Sequence, residues 1–379
     1  GLELRYRQDE VLAVIDAAEG GVIASPTGYG KTFIATLVAL VYPRSKIVFV
    51  SPGLDLLRST YDRVRKYVPD IGRIGAGYYE PKARVLMCSA DSLHKAPLGE
   101  ASMIIYDEVH TAATESRSNA LCAQYTDAKM IGFSASVNVR ADGADAIVEA
   151  IFGPVLTSIT YAEAAQAGIV AQIQAQPISV PQTPDSPRLF GDTYQKKRDG
   201  YWCNHQRNDT IARVVGAVPG MLGKDDPQIL IMCETVEHIF ELKSLLPDFE
   251  VVYANLEDAT RNKLEARGVH IGQVVTPQMR ADILDRFQRG TLRRVIANHC
   301  WKQGIDPVHL NCFIRADGGT SEINNIQLPG RLSRITEGKA EGFLVDFADE
   351  FDDWARRRAR VRLSSYQKSG FNILPTIKV

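Results

Sequence analysis

Short apolar runs, each closed by a polar or glycine-rich turn and followed by a helix-like stretch, recur along this chain and restart in its second half. In the first half such runs end at Ser25, Ser51, Ser89, Asp107 and Ser134. In the second they cover residues 228–233, 250–253, 294–297, 311–315 and 341–347. Continuous apolar runs suit strands buried on both faces, and their alternation with helices demands crossover connections in a mostly parallel sheet. The rhythm therefore predicts an α/β fold with two domains, 1–167 and 168–379, and 379 residues suffice for a core in each. Residues 177–200, rich in Pro, Gln, Ser and Asp, read as a linker or insertion. Residues 351–362 carry a highly charged helical pattern and read as part of a charged C-terminal tail. In sheets of this kind ligands gather at the carboxyl ends of the strands, where each polar cluster stands.

Composition excludes several classes. Apolar residues make up 45% and charged residues 23%, the profile of a soluble globular protein. No run approaches the roughly 18 apolar residues of a membrane span, and no signal-peptide pattern opens the chain. A cytoplasmic location with no membrane partner is the expectation. The six cysteines show no Cys-x-x-Cys spacing. Cys203 and His205 offer two ligands where a structural zinc takes four, so no structural zinc is expected.

The segment Ser25-Pro26-Thr27-Gly28-Tyr29-Gly30-Lys31-Thr32 follows an apolar strand and opens a helix, the setting of a phosphate-binding loop. Backbone N–H groups of such a turn point at phosphate oxygens, and the helix dipole favours the anion. Lys31 would hold the β- and γ-phosphates of a nucleotide, and Thr32 would hold Mg²⁺. Ser25 stands where the pattern G-x-x-x-x-G-K-[ST] has its first glycine, and a small residue still permits the turn. Further on, Asp107-Glu108-Val109-His110 closes an apolar run. A strand-end aspartate beside a phosphate loop can hold the metal shell, and an adjacent glutamate can activate water.

Together, Gly28, Gly30, Lys31 and Thr32 with Asp107-Glu108-Val109-His110 resemble motifs I and II of superfamily 2 helicases of the DExH type. Other segments resemble that family's motifs in order. Leu4-Arg5-Tyr6-Arg7-Gln8 resembles the adenine-reading Q-motif, with Gln8 pairing to the adenine edge and Arg5 packing on the base or reaching phosphate. Ser134-Ala135-Ser136 resembles motif III, which with His110 implies coupling between the nucleotide and the nucleic-acid groove. Ser51, Pro52 and Gly53, then Ser89, Glu234-Thr235 and Asn298 resemble motifs Ia, Ib, IV and V, whose strand ends line that groove. The family often has threonine where Gly53 and Asn298 stand. Gly304 and Asp306 resemble the nucleotide-sensing part of motif V, with helix capping as the alternative for Asp306. Gln327-Leu328-Pro329-Gly330-Arg331-Leu332-Ser333-Arg334 resembles motif VI.

The resemblance implies two tandem RecA-like domains using ATP and Mg²⁺. Motif VI is what turns a generic ATPase into a motor. Arg331 and Arg334, three apart, would share one helix face, and Gln327 would position water or phosphate. An arginine finger is worth about 10³–10⁵ in rate. Supplied by the second domain, it would make hydrolysis follow an opening and closing stroke. With a net charge of −1 the chain has no global basic field, so nucleic acid would be held by a local groove, largely through its phosphates. Trp301 would stack on a base or fill a core.

The resemblance runs from Leu4 to Arg334 and implies a minimal motor or the core of a longer protein. The leading function is an ATP-dependent helicase acting on single-stranded, forked or branched DNA. Alternatives are a double-stranded DNA translocase without strand separation, and an RNA helicase. A nucleotide-gated binder with little turnover is the reading from a different class; such a protein can lack Glu108 or the fingers, and this chain has both. A metabolic kinase would need a lid and an acceptor site in place of the second strand–helix series.

Overall fold

Every residue of Ile47–Ser51, Val85–Ser89 and Met103–Asp107 is buried, as strands covered on both faces require. The structure is a computed structural model and describes residues 3–123, 127–135, 144–254, 256–272, 274–301, 307–336 and 339–379. The chain divides into two compact units, Gly1–Val170 and Ala171–Val379.

The first unit holds β1 (Gly20–Ala24), β2 (Ile47–Ser51), β3 (Ile71–Gly75), β4 (Tyr78–Tyr79), β5 (Val85–Ser89), β6 (Met103–Asp107), β7 (Lys129–Ser134) and β8 (Val155–Ser158). They form one sheet in the order β4-β3-β5-β2-β6-β7-β1-β8, parallel except for the β3–β4 hairpin. Ile34, Ala35, Val38 and Ala39, at helical spacing, bring one face of the Lys31–Val41 helix onto the sheet beside Ile23, Phe49, Ile105 and Phe133. Burial of each large aliphatic side chain is worth about 1.5–3 kcal/mol. Val22, Val48, Val50, Ile104 and Tyr106 build the core on the opposite face with Phe152.

The second unit holds β9 (Gln172–Val180), β10 (Ile229–Met232), β11 (Glu250–Val252), β12 (Arg294–Ala297), β13 (Cys312–Arg315), β14 (Glu341–Asp349) and β15 (Asn372–Ile373). Their order is β11-β12-β10-β13-β14-β9-β15, and all named pairs are parallel. Ile211, Val214 and Val218 of the His205–Leu222 helix pack with Ile231, Ile296, Ile314 and Val345.

Two expectations need correction here. The connector read from residue 177 onward begins later, because β9 runs through Pro177 and pairs with β14 from Gln172 to Val180. Its three glutamines and one proline hid a strand whose burial comes from its neighbours. The charged C-terminal segment is no free tail. It is the Asp353–Lys368 helix, with Ala355, Ala359, Arg362 and Tyr366 buried, and β15 follows it into the sheet. Among the described residues no helix is long and apolar enough to cross a membrane.

Candidate functional site

Gly28 and Gly30 shape the turn after β1 with φ of 91° and 105°, a region open to glycine. A Cβ at Gly30 would also stand 2.9 Å from Gln8 Nε2. The turn enters the Lys31–Val41 helix with Gly30 at the N-cap and no capping side chain. The first-turn N–H groups of such a helix lack intrahelical acceptors and suit an anion. Ser25 is buried and its N–H donates to the Ser134 carbonyl at 2.9 Å, joining the start of the loop to the end of β7. Thr27 and Thr32 are half-buried beside it.

Lys31, 9% exposed, reaches Glu108 Oε1 at 3.5 Å. Glu108 holds a left-handed φ of 53°, which costs a non-glycine residue about 1–3 kcal/mol. Its other carboxylate oxygen lies 3.5 Å from His110 Nδ1, and that nitrogen is 3.5 Å from Ser134 Oγ. Lys31, Glu108, His110 and Ser134 thus form one continuous polar chain across the ends of β6 and β7. Asp107 closes β6 and accepts from the Glu108 N–H at 3.0 Å. Burial pushes its carboxyl up to about 6; Lys31 pulls it down, Glu108's charge pushes it up and that N–H pulls it down.

Among the described residues no three His, Cys, Asp or Glu side chains converge as a metal cage. Mg²⁺ needs none, since it takes one or two protein oxygens and completes its shell with phosphate and water. A buried, ionisable Asp107 near the phosphate loop and Thr32 in the helix's first turn fit that donor set.

Gln8 is fully buried, donating from Nε2 to the Tyr29 carbonyl at 3.0 Å and accepting the Arg5 N–H at 2.9 Å. Its amide therefore braces the phosphate loop against residues 5–8, and pairing with an adenine edge would exchange these bonds. Tyr29 is buried as well, its hydroxyl donating to the Tyr6 carbonyl at 2.6 Å, and burial pushes the phenol up to about 12. Arg5 is exposed.

Along the carboxyl edge of the first sheet, β2 and β5 place Ser51 beside Ser89. Both serines and Pro52 are buried, and Ser51 Oγ donates to the Gly53 carbonyl at 3.4 Å. This edge presents backbone rather than those side chains. In the second unit Thr235 caps the Val236–Leu245 helix, accepting from the His238 N–H at 3.3 Å, and Glu234 pairs with Lys197 at 2.6 Å. Asn298 follows β12 and accepts from the Cys300 N–H at 3.2 Å. Trp301 is buried against Phe287 with ring centroids 5.5 Å apart, which removes the base-stacking alternative. Ser136, Gly304 and Asp306 lie outside the described residues.

Motif VI departs from expectation. The Glu322–Gln327 helix ends at Gln327, Pro329–Ser333 forms a 3₁₀ turn carrying Arg331, and Arg334 is already extended. The two arginines therefore do not share an α-helical face. Pro329 lacks the N–H that would continue the helix. Sequence reading also missed what holds this segment. Asn325 accepts from Arg315 Nη1 and donates to Ser365 Oγ at 3.1 Å, tying the helix before the turn to β13 and to Asp353–Lys368. Arg315 grips Asp317 through two bonds of 3.0 and 2.8 Å. Burial alone would raise Asp317, but this guanidinium holds it well below the usual carboxylate range. Asn325, second of two adjacent asparagines in a polar stretch, carries no sequence signal of its buried partners.

With this geometry in place, comparison with known proteins is informative. Residues 1–139 match the family described as type III restriction enzyme, res subunit. The chain is 24% identical over 359 residues to the DNA 3′–5′ translocase XPB2 of Sulfurisphaera tokodaii, covering 89% of this chain and 80% of that protein. It is 22% identical to the probable helicase D10 of Escherichia phage T5, covering 98% of this chain and 77% of that one. Its fold matches Saccharomyces cerevisiae Dbp5, solved with RNA and ADP–BeF₃, at a TM-score of 0.66 and 16% identity, over 100% of this chain and 90% of that one. Over nearly its whole length the chain is similar to superfamily 2 helicases and translocases, and its two sheets have the fold of their tandem RecA-like domains.

Proposed function

We propose that the chain uses ATP hydrolysis to move along DNA and to separate or remodel its strands. The observation that carries this reading is the polar chain Lys31–Glu108–His110–Ser134, with Lys31 Nζ and Glu108 Oε1 at 3.5 Å beside the phosphate loop. Lys31 and the first-turn N–H groups bind and orient the β- and γ-phosphates. Thr32 and Asp107 hold Mg²⁺, which when bound neutralises charge developing on the phosphates. Glu108 takes the proton of the attacking water, and His110 and Ser134 relay the state of that site to the end of β7. Arg331 and Arg334 supply positive charge to the γ-phosphate in the transition state, with Gln327 orienting water. Arg5 and Gln8 read the adenine, and Gly304 and Asp306 sense the nucleotide. The backbone at Ser51, Pro52, Gly53 and Ser89, together with Thr235 and Asn298, contacts nucleic-acid phosphates.

DNA is favoured over RNA because XPB2 is named a DNA translocase and the res family belongs to restriction enzymes. Those same names favour, as a second reading, translocation on duplex DNA without strand separation. ATP hydrolysis measured at fixed low salt with single-stranded, duplex and forked DNA and with RNA tests the track. DNA is expected to stimulate most, and stimulation by RNA alone refutes the DNA reading. Lys31→Ala should lower turnover at least about 100-fold and abolish movement. Product in a strand-displacement assay supports unwinding, whereas triplex displacement without it supports the second reading.

A further inference from the structure

The hairpin at one edge of the first sheet carries an arrangement that the proposed contacts do not use. Its turn, Gly75-Ala76-Gly77, joins β3 to β4, and Gly75 pairs with Tyr78. Gly75 has a φ of 116°, and a Cβ there would stand 2.4 Å from Ser89 Oγ, so the turn packs directly on the end of β5. The sheet order β4-β3-β5-β2 and the register of β2 with β5 then set Ser51, Ser89, Gly75 and Tyr78 in one row along the carboxyl edge. With neighbouring strands about 4.8 Å apart, the row spans roughly 14 Å from β2 to β4.

Tyr78 is braced from behind. The Arg73 guanidinium lies 3.5 Å from the Tyr78 ring centroid and 4.3 Å from that of Tyr61, so ring, cation and ring form a ladder. The Glu80 carboxylate accepts the Arg73 backbone N–H at 2.8 Å and lies 3.6 Å from its Nε, which fixes the guanidinium. Even so, 42% of Tyr78 remains exposed. In the Leu54–Val64 helix Arg58 stands three residues before Tyr61, on the same side, and Arg65 follows just past its end, 5.8 Å from the Tyr61 ring. Both arginines are exposed. Residues 53–82 carry Arg58, Arg63, Arg65, Lys66, Arg73 and Lys82 against Asp55, Asp62, Asp70 and Glu80, a local excess of positive charge in a chain of net charge −1.

We propose that Tyr78 is a base-stacking platform for single-stranded nucleic acid, continuing the Tyr61–Arg73–Tyr78 ladder outward beyond the contacts at Ser51 and Ser89. A rigid aromatic face flanked by cations suits a nucleobase and its phosphates, and stacking of this kind tolerates any base. Tyr79 points to the opposite face of the two-residue strand and takes no part. The inference rests on the reading that this carboxyl edge is the nucleic-acid track.

The test is fluorescence anisotropy of a labelled oligothymidylate with the full chain, at fixed low salt, for wild type, Tyr78→Ala, Tyr78→Phe and Tyr79→Ala. Tyr78→Ala should weaken binding about five-fold or more, while Tyr78→Phe, which keeps the ring, and Tyr79→Ala should bind like wild type. An oligonucleotide bearing 5-iododeoxyuridine should photo-crosslink to the peptide containing Tyr78. Unchanged affinity of Tyr78→Ala, or equal weakening by Tyr78→Ala and Tyr78→Phe, overturns the platform while leaving the motor reading intact. Absence of wild-type binding to both DNA and RNA oligomers overturns the track and the platform together.

Discussion

Asp107 holds its charge against the protein around it. Burial at the end of β6 lifts its folded pKa to about 6, above the ordinary carboxylate value, so the ionised form costs stability at neutral pH. The sign follows from linkage: a folded pKa above the unfolded one means that the folded state binds the proton more tightly, and the cost disappears as pH falls through 6 toward 4. At pH 7.5 the cost is on the order of 3 kcal/mol. Asp107→Asn should therefore raise the melting temperature of the first unit at pH 7.5 and lose that advantage near pH 4, while ATP turnover falls steeply. An equal or lower melting temperature at pH 7.5 would contradict the electrostatic account. Glu108 tells a related story, since its left-handed backbone is tolerated where the side chain faces both Lys31 and His110. The Asp-Glu-x-His spacing was legible in the chain, but neither the raised pKa nor the left-handed turn was. The raised pKa comes from burial and is tempered by Lys31, 76 positions away, and no residue spacing encodes the left-handed φ.

At the scale of elements, the Asp353–Lys368 helix was readable as a helix and unreadable as a buried one. Its run of arginines suggests a solvated face, yet Arg362 is fully buried, bonded to Asp346 at 3.0 and 2.9 Å and to Asp349 at 3.1 Å. Asp349 also accepts from the buried Arg207 at 2.8 Å, and Tyr366 donates to Asp346 at 2.6 Å. Removing Arg362 leaves the buried Asp346 without its cationic partner, which costs about 3–5 kcal/mol. Arg362→Met should lower the urea midpoint of the second unit by a corresponding amount, whereas Arg360→Met, at an exposed position of the same helix, should change it little. Equal effects would mean that the helix is not held by this network. β9 shows the same limit in reverse: its glutamines and Pro177 argue against a strand, and only pairing with β14 and β15 makes it one.

Across the whole molecule, the two units have separate hydrophobic cores, one around Ile231, Ile296 and Ile314 and the other around Ile23, Phe49 and Ile105. Unfolding followed by far-ultraviolet circular dichroism is expected to resolve two transitions, and Arg362→Met should shift only one of them. A single transition moved as a whole would show that the units unfold together. Local order along the chain was enough for the α/β class, the phosphate loop and the acidic strand end, because periodicity, glycine placement and Lys-Thr spacing are properties of neighbouring residues. Tertiary structure alone decided that Ser51, Ser89 and Gly75 stand in one row, that Gln8 braces the loop, and that Arg362 has two carboxylates to bury with. Those facts depend on strand order and register, which bring together residues far apart in the chain: Arg207 and Arg362, 155 positions apart, meet at Asp349. No local pattern encodes which distant partner will compensate a charge, so burial and pairing become visible only once the sheet is built.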